Sequence, residues 1–193
     1  ENFKEAENSY RKATQLKPNF KEAYIVFSIF LRNIGKLKDA ELYTRKAIKL
    51  NPGLAEAHSN LGGILISKGQ LKDAKLSLLK AIDLKPNFSR AFYLLSLLNS
   101  SNKDQEWQER LFSENFLKNF SIKDQIFIYF ARSNILHKDK NFKESAKNLK
   151  KANDLKLTLN PAESDELKKK SSDLLITSKK IGINEKVTLK YPQ

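Results

Sequence analysis

Chemistry in this chain would have to come from a short set of residues: two histidines, six glycines, no cysteine and no methionine. His58 and His137 have no carboxylate at ligand spacing. A metal site needs three or four convergent ligands, so the sequence predicts no bound metal. His58 is read instead as a packing residue. The pair Gly62-Gly63 falls inside a helical pattern, where room for a neighbouring helix explains it better than a phosphate loop does. No serine, histidine and acid can be assembled into a nucleophilic triad, and no two carboxylates stand apart from the solvated faces. Catalysis and a resident cofactor are therefore not expected of these residues.

The charge balance narrows the partners. The formal net charge is +14, from 36 basic and 22 acidic residues. Thirty of the basic residues are lysine and only six are arginine, the side chain best shaped for bidentate phosphate and guanine contacts. That bias argues against a nucleic-acid partner. No apolar run reaches the roughly 20 residues that span a bilayer, so no membrane partner is expected. The lack of cysteine fits a reducing, cytoplasmic compartment.

The residues that position everything else repeat. Pro18, Pro52 and Pro86 stand at equal intervals (52 − 18 = 86 − 52 = 34), and in the same register fall Ala6, Ala40 and Ala74, then Ala13, Ala47 and Ala81, then Leu16, Leu50 and Leu84. A fixed period of this length means an array whose units bury their apolar faces only against their neighbours. Apolar residues at three and four spacing predict helices over 2–16, 20–34, 36–50, 54–68, 70–84 and 88–100. Proline turns should join one pair to the next, and Gly35 and Gly69 should close the turn within a pair. The fold class expected is all-α, a right-handed superhelix of antiparallel helix pairs.

The pattern resembles the tetratricopeptide repeat. The residues that carry it are Tyr24, Phe27, Ser28, Leu31, Ala40 and Thr44 before Pro52, and His58, Leu61, Gly62, Leu65, Ala74 and Leu78 before Pro86. The array should cover residues 1–157: a partial first unit over 1–18, units over about 19–52 and 53–86, a degenerate unit over 87–121 and a fifth over 122–157. Only the second helix of the first unit is present, which implies a fragment. The degenerate unit pairs 88–100 with a helix near 104–119 and should bend the superhelix. The fifth, displaced from the strict period, is marked by Tyr129, Leu136, Ser145, Leu149 and Ala152. A capping helix is expected over 158–181, opened by Pro161, with 182–193 as a linker or the start of a missing downstream domain.

A second resemblance covers the last third. Ile128 to Ser133, Asn141 to Ser145 and Lys151 to Lys156 are similar to the last repeat of bacterial tetratricopeptide-sulfotransferase fusions, although Arg132 stands where that family prefers an apolar residue. The resemblance implies that the chain is the non-catalytic arm of an enzyme. The parent would use a phosphosulfate nucleotide, and the arm would dock its catalytic domain or present a peptide or carbohydrate acceptor to it.

The functional candidate is the groove that the first helix of each unit lines in this architecture. Its expected lining is Ile25, Ile29, Arg32, Ser59, Asn60, Ile66, Tyr93 and Leu97, mostly apolar and suited to a polypeptide segment. Tetratricopeptide domains that grip a C-terminal carboxylate place lysines and asparagines here, and only Arg32 and Asn60 could serve in that way, so a carboxylate clamp is not expected. A weaker alternative is an anionic-surface binder that uses Lys143, Lys147 and Lys150 on one helix face.

Overall fold

Ala40, Ala47, Ala74 and Ala81 are all fully buried. A methyl-sized side chain is what lets two helix backbones approach closely, so the period in the sequence is a period of close contacts. A computed structural model describes residues 2–98, 105–113 and 115–159. Among the described residues all regular structure is helical: α1 Asn2–Leu16, α2 Lys21–Asn33, α3 Leu37–Leu50, α4 Ala55–Ser67, α5 Leu71–Leu84, α6 Ser89–Leu97, α7 Gln105–Phe112, α8 Ile122–Lys138 and α9 Phe142–Leu159, with a 3-10 turn at Phe116–Asn119. The helices pack in chain order as antiparallel pairs, α2 with α3, α4 with α5 and α8 with α9. The first helices also touch in succession, α2 with α4 and α4 with α6. Among the described residues no helix is long and apolar enough to cross a membrane.

The turns repeat as faithfully as the alanines. Between pairs, Phe20 N–H donates to Lys17 O at 3.0 Å, Leu54 to Asn51 at 3.2 Å and Phe88 to Lys85 at 3.0 Å, with a proline just after each acceptor. Proline fixes the backbone angle that such a turn requires at its second position. Within pairs, Gly35 and Gly69 take φ of +79° and +74°. The amides that follow them reach back to Leu31 O at 2.8 Å and Leu65 O at 2.9 Å. Those bonds satisfy carbonyls that the helix end leaves open. In the third such turn, between α8 and α9, the left-handed residue is Lys140, with φ of +61°.

Clusters of apolar side chains follow one another along the array instead of forming one central core. Phe27, Leu31, Ala40 and Ile64 join three helices, with Tyr10 of α1 packed against them. Ala6 and Ala13, aligned with the buried alanines, are half-buried and exposed respectively, because the neighbour of α1 is α2.

The expected fourth unit is where sequence and structure part. The pattern places its second helix near 104–119, but α7 stops at Phe112 and a short 3-10 turn follows. Trp107, Leu111 and Phe120 are buried against Phe92, Leu95 and Leu98. Phe116 meets the Phe92 ring edge-on at 5.0 Å. Gln108 and Asn115 stand at the register where the other units have alanine, and beside them Trp107 and Phe116 pack on the Phe92 ring. The principal neighbour of α6 is accordingly α8. Two cations of α8 close the carbonyl ends of the short helices, which leave their last acceptors open and favour positive charge. Arg132 Nε donates to Leu111 O at 2.8 Å, and Lys138 Nζ donates to Ser96 O at 2.7 Å. Thr158 and Leu159, expected to start the capping helix over 158–181, are the last residues of α9; the rest of that helix and the linker at 182–193 lie outside the described residues.

Candidate functional site

The first helices α2, α4 and α6 lie side by side and share one continuous face. Ile25, Ile29 and Arg32 of α2, Ser59, Gly63 and Ile66 of α4, and Arg90, Tyr93 and Leu97 of α6 stand on it by helical register. The expected lining separates into two groups. Ile29, Arg32, Ile66 and Tyr93 are half-exposed, and Leu97 is 44% exposed. Ile25 at 8% and Ser59 at 1% are covered, and Asn60 at 2% is not part of the surface at all.

Asn60 instead joins three helices from within. Its side-chain amide donates to Ser28 Oγ of α2 at 2.6 Å and to Thr44 Oγ1 of α3 at 3.0 Å. Those hydroxyls in turn donate to Ile25 O and Ala40 O. Asn60 lies one residue past the shared face, on the side that faces the neighbouring pair, which corrects its expected place in the groove. One period later the same three positions hold Gly62, Leu78 and Leu94.

The two adjacent glycines do different work. A Cβ at Gly62 would fall 2.5 Å from Leu78 Cγ and 3.3 Å from Ala74 O, so this glycine admits α5, as the sequence suggests. A Cβ at Gly63 would fall 2.7 Å from Arg32 Nη1 and 3.7 Å from Leu94 Cδ1. The neighbour there is a guanidinium, not a helix. Arg32 lies against the bare backbone of α4, beside Leu94, which stands one turn beyond Arg90 on α6.

Arg90 is the residue that periodic reading passes over. A signal for it exists: its register holds Glu22 and Glu56 in the two preceding units, so the charge reverses at this one unit. Burial lowers the pKa of both Arg32 and Arg90 from the ordinary arginine range, and the Arg90 charge lowers Arg32 further. Among the described residues, no hydrogen-bond or ion-pair partner contributes to either shift. Ser59 Oγ, one turn before Gly63 on the same face of α4, is buried without a hydrogen-bond partner among the described residues.

The remaining candidates are scattered. Lys143, Lys147 and Lys150 are all exposed on α9, and Lys147 is paired with Glu144 at 2.6 Å. His58 Nε2 is 2.9 Å from Pro52 O, where it ties the start of α4 to the proline turn, and His137 meets the Phe142 ring edge-on at 5.2 Å. Among the described residues no group of three or more histidines and acids is placed to hold a metal ion.

Residues 1–20 and 55–88 match the family model of the tetratricopeptide repeat. These two segments carry the tetratricopeptide repeat. Among solved structures it is similar to PilF of Pseudomonas aeruginosa, at 20% identity over 93% of this chain and 84% of that one with a TM-score of 0.58. It is similar also to MamA of Desulfovibrio magneticus RS-1, at 23% identity over 82% and 88% with a TM-score of 0.57. At this identity both likenesses concern the fold alone. No curated protein matches the chain. The tetratricopeptide match falls on α1 and on the pair α4–α5, where the alanines, Gly62 and the prolines keep strict period.

Proposed function

We propose that this tetratricopeptide array is a non-catalytic scaffold that holds a polypeptide segment against the shared face of α2, α4 and α6. The observation that carries the reading is the half-exposed apolar stripe of Ile29, Ile66 and Tyr93, which ends at Leu97. Contiguous apolar area left in water favours a partner that covers it. An extended or helical peptide reaches such a groove with few polar groups left unpaired.

The test is to pan a phage-displayed library of random peptides on the full chain and repeat the selection on Leu97→Asp and Ile29→Asp. Leu97 is exposed, so Leu97→Asp should melt within about 2 °C of the parent while enrichment disappears. Enrichment that survives both charges would exclude this face as the binding surface.

A second reading makes the array the N-terminal arm of a sulfotransferase, docking or serving its catalytic domain. Its support is the residues of α8 and α9 that resemble those fusions; the family match and the structural neighbours add none. The amino acids that follow Gln193 in the parent gene decide it: a strand and a glycine-rich phosphate loop are required.

A further inference from the structure

Lysine recurs on the second helices in a register that packing does not require. Lys38, Lys72 and Lys143 each stand three residues after the left-handed residue of their turn, at Gly35, Gly69 and Lys140 (38 − 35 = 72 − 69 = 143 − 140 = 3). Lys46, Lys80 and Lys151 follow eight residues later, and Lys4 and Lys12 take the same two positions on α1. All eight are exposed. None is in an ion pair among the described residues, whereas Lys36, Lys68 and Lys147, which lie off these two rows, are all paired. Midway between the rows, α3 and α5 place leucine: Leu42 is 52% and Leu76 66% exposed, each with a lysine four residues before it and another four after. A lone exposed leucine is ordinary. Two in one register, flanked by unpaired cations, leave an apolar strip inside a basic field. The charge is distributed to match, since α1, α3, α5 and α9 together have 15 basic and 8 acidic side chains, while α2, α4 and α6 have three and two. The positive potential therefore lies on the second helices and not on the shared face.

We infer that the lysine rows and the leucines between them form a docking surface for an anionic lipid bilayer. This surface lies on other helices than the proposed peptide groove and stands or falls without it. A chain with no spanning helix can still lie on a bilayer when apolar side chains enter the interface and cations meet the headgroups. Lysine suits that place, because its long stem runs along apolar surface while the ammonium stays at headgroup level. The acids nearest the strip do not cancel the rows: Glu7 and Glu41 are held by Arg11 and Arg45 and by Lys36 and Lys68. Asp39 is 4.0 Å from Arg11, and Asp73 stands beside Lys72. A nucleic acid would set Leu42 and Leu76 against its charged backbone, where they gain nothing. An anionic bilayer offers both of the things this face presents, charge at the headgroups and an apolar layer just beneath them.

The experiment is flotation of the full chain with vesicles of phosphatidylcholine alone and with about 30% phosphatidylserine, in about 0.1 M salt. The chain should float with the anionic vesicles and stay behind with the neutral ones. Lys38→Gln and Lys72→Gln should each lower the partition coefficient about fivefold, the worth of one lysine near an anionic surface. Leu42→Ser combined with Leu76→Ser should lower it about tenfold at unchanged net charge, through the apolar area no longer inserted. Lys123→Gln on α8, an equal loss of charge off the rows, should change it less than about twofold. All of these positions are exposed, so each variant should melt within about 2 °C of the parent, which separates lost docking from lost fold. Failure to float with the anionic vesicles, or a loss in Lys123→Gln equal to that in Lys38→Gln, would overturn the surface. An oligoribonucleotide or polyglutamate that binds through the same lysines, with no loss in the leucine pair, would overturn the bilayer as its partner.

Discussion

Asn60 shows how one residue can be assigned to the right neighbourhood and the wrong face. It buries an amide between Ser28 and Thr44, with its own Oδ1 left unpaired. Truncating it removes two hydrogen bonds and opens a cavity, so Asn60→Ala should cost about 1–3 kcal/mol in urea unfolding. The array also contains the apolar counterpart of the cluster, Gly62, Leu78 and Leu94. Changing Ser28→Gly, Thr44→Leu and Asn60→Leu together should therefore recover most of that loss, because no polar group is then left buried alone. A triple variant less stable than Asn60→Ala would show that the two sites differ in shape as well as polarity.

Glu41 belongs to the same scale. Lys68 Nζ at 2.6 Å and Arg45 at 2.8 Å hold its carboxyl below the usual carboxylate range, the lysine hydrogen bond first, with burial acting the other way. Glu7 and Arg11 stand one period before Glu41 and Arg45, and there the lysine comes from Lys36, two positions off the register of Lys68. A folded-state pKa below the unfolded one means stability present above the ordinary glutamate value, about 4.3, and lost as pH falls through the lower folded value. Glu41→Gln should cost roughly 0.2–1 kcal/mol at neutral pH, and the gap from the parent should close once both chains are studied near pH 3. A gap that stays constant with pH would mean the carboxylate charge contributes nothing.

At the scale of elements, the turns rank themselves. Gly35 and Gly69 adopt left-handed backbone freely, while Lys140 adopts it with a Cβ that crowds the following carbonyl. Lys140→Gly should raise stability by about 1 kcal/mol, net of the entropy that glycine adds to the unfolded chain. Calorimetry on the pair would register this as a melting temperature higher by about 2–4 °C; a drop would mean that the Lys140 side chain makes up the strain. Arg132 and Lys138 explain why the fourth unit survives its irregularity. Its helices are short, and α8 supplies the cations their carbonyl ends require. In the sequence Arg132 reads as a departure from a family pattern, and in the fold it ends α7.

For the whole molecule, stability is a chain of interfaces under a net charge of +14. Such a charge favours expansion, and added salt screens it. Raising sodium chloride from about 0.02 to 0.3 M shortens the screening length severalfold and should raise the melting temperature, even though the Glu7 and Glu41 ion pairs weaken. A fall with salt would place those pairs above self-repulsion in the balance.

The all-helical array was legible from the residues because its causes are local and periodic. Proline fixes one angle, glycine admits a left-handed turn, and alanine at a constant interval marks each close approach. Most of the shared face was legible too, since register alone assigns Ile29, Arg32, Ile66, Tyr93 and Leu97 to it. The break in the fourth unit was visible only as lost alanines. That α7 would stop at Phe112, and that α6 would turn to α8, depended on how Trp107, Phe116 and Phe120 share space with Phe92. Tertiary structure alone decided the burial of Asn60, the separate tasks of Gly62 and Gly63, and the placing of Arg32 against the α4 backbone at Gly63. Each depends on distances between side chains of different helices, and a period in sequence specifies which helices adjoin without specifying what their longest side chains touch.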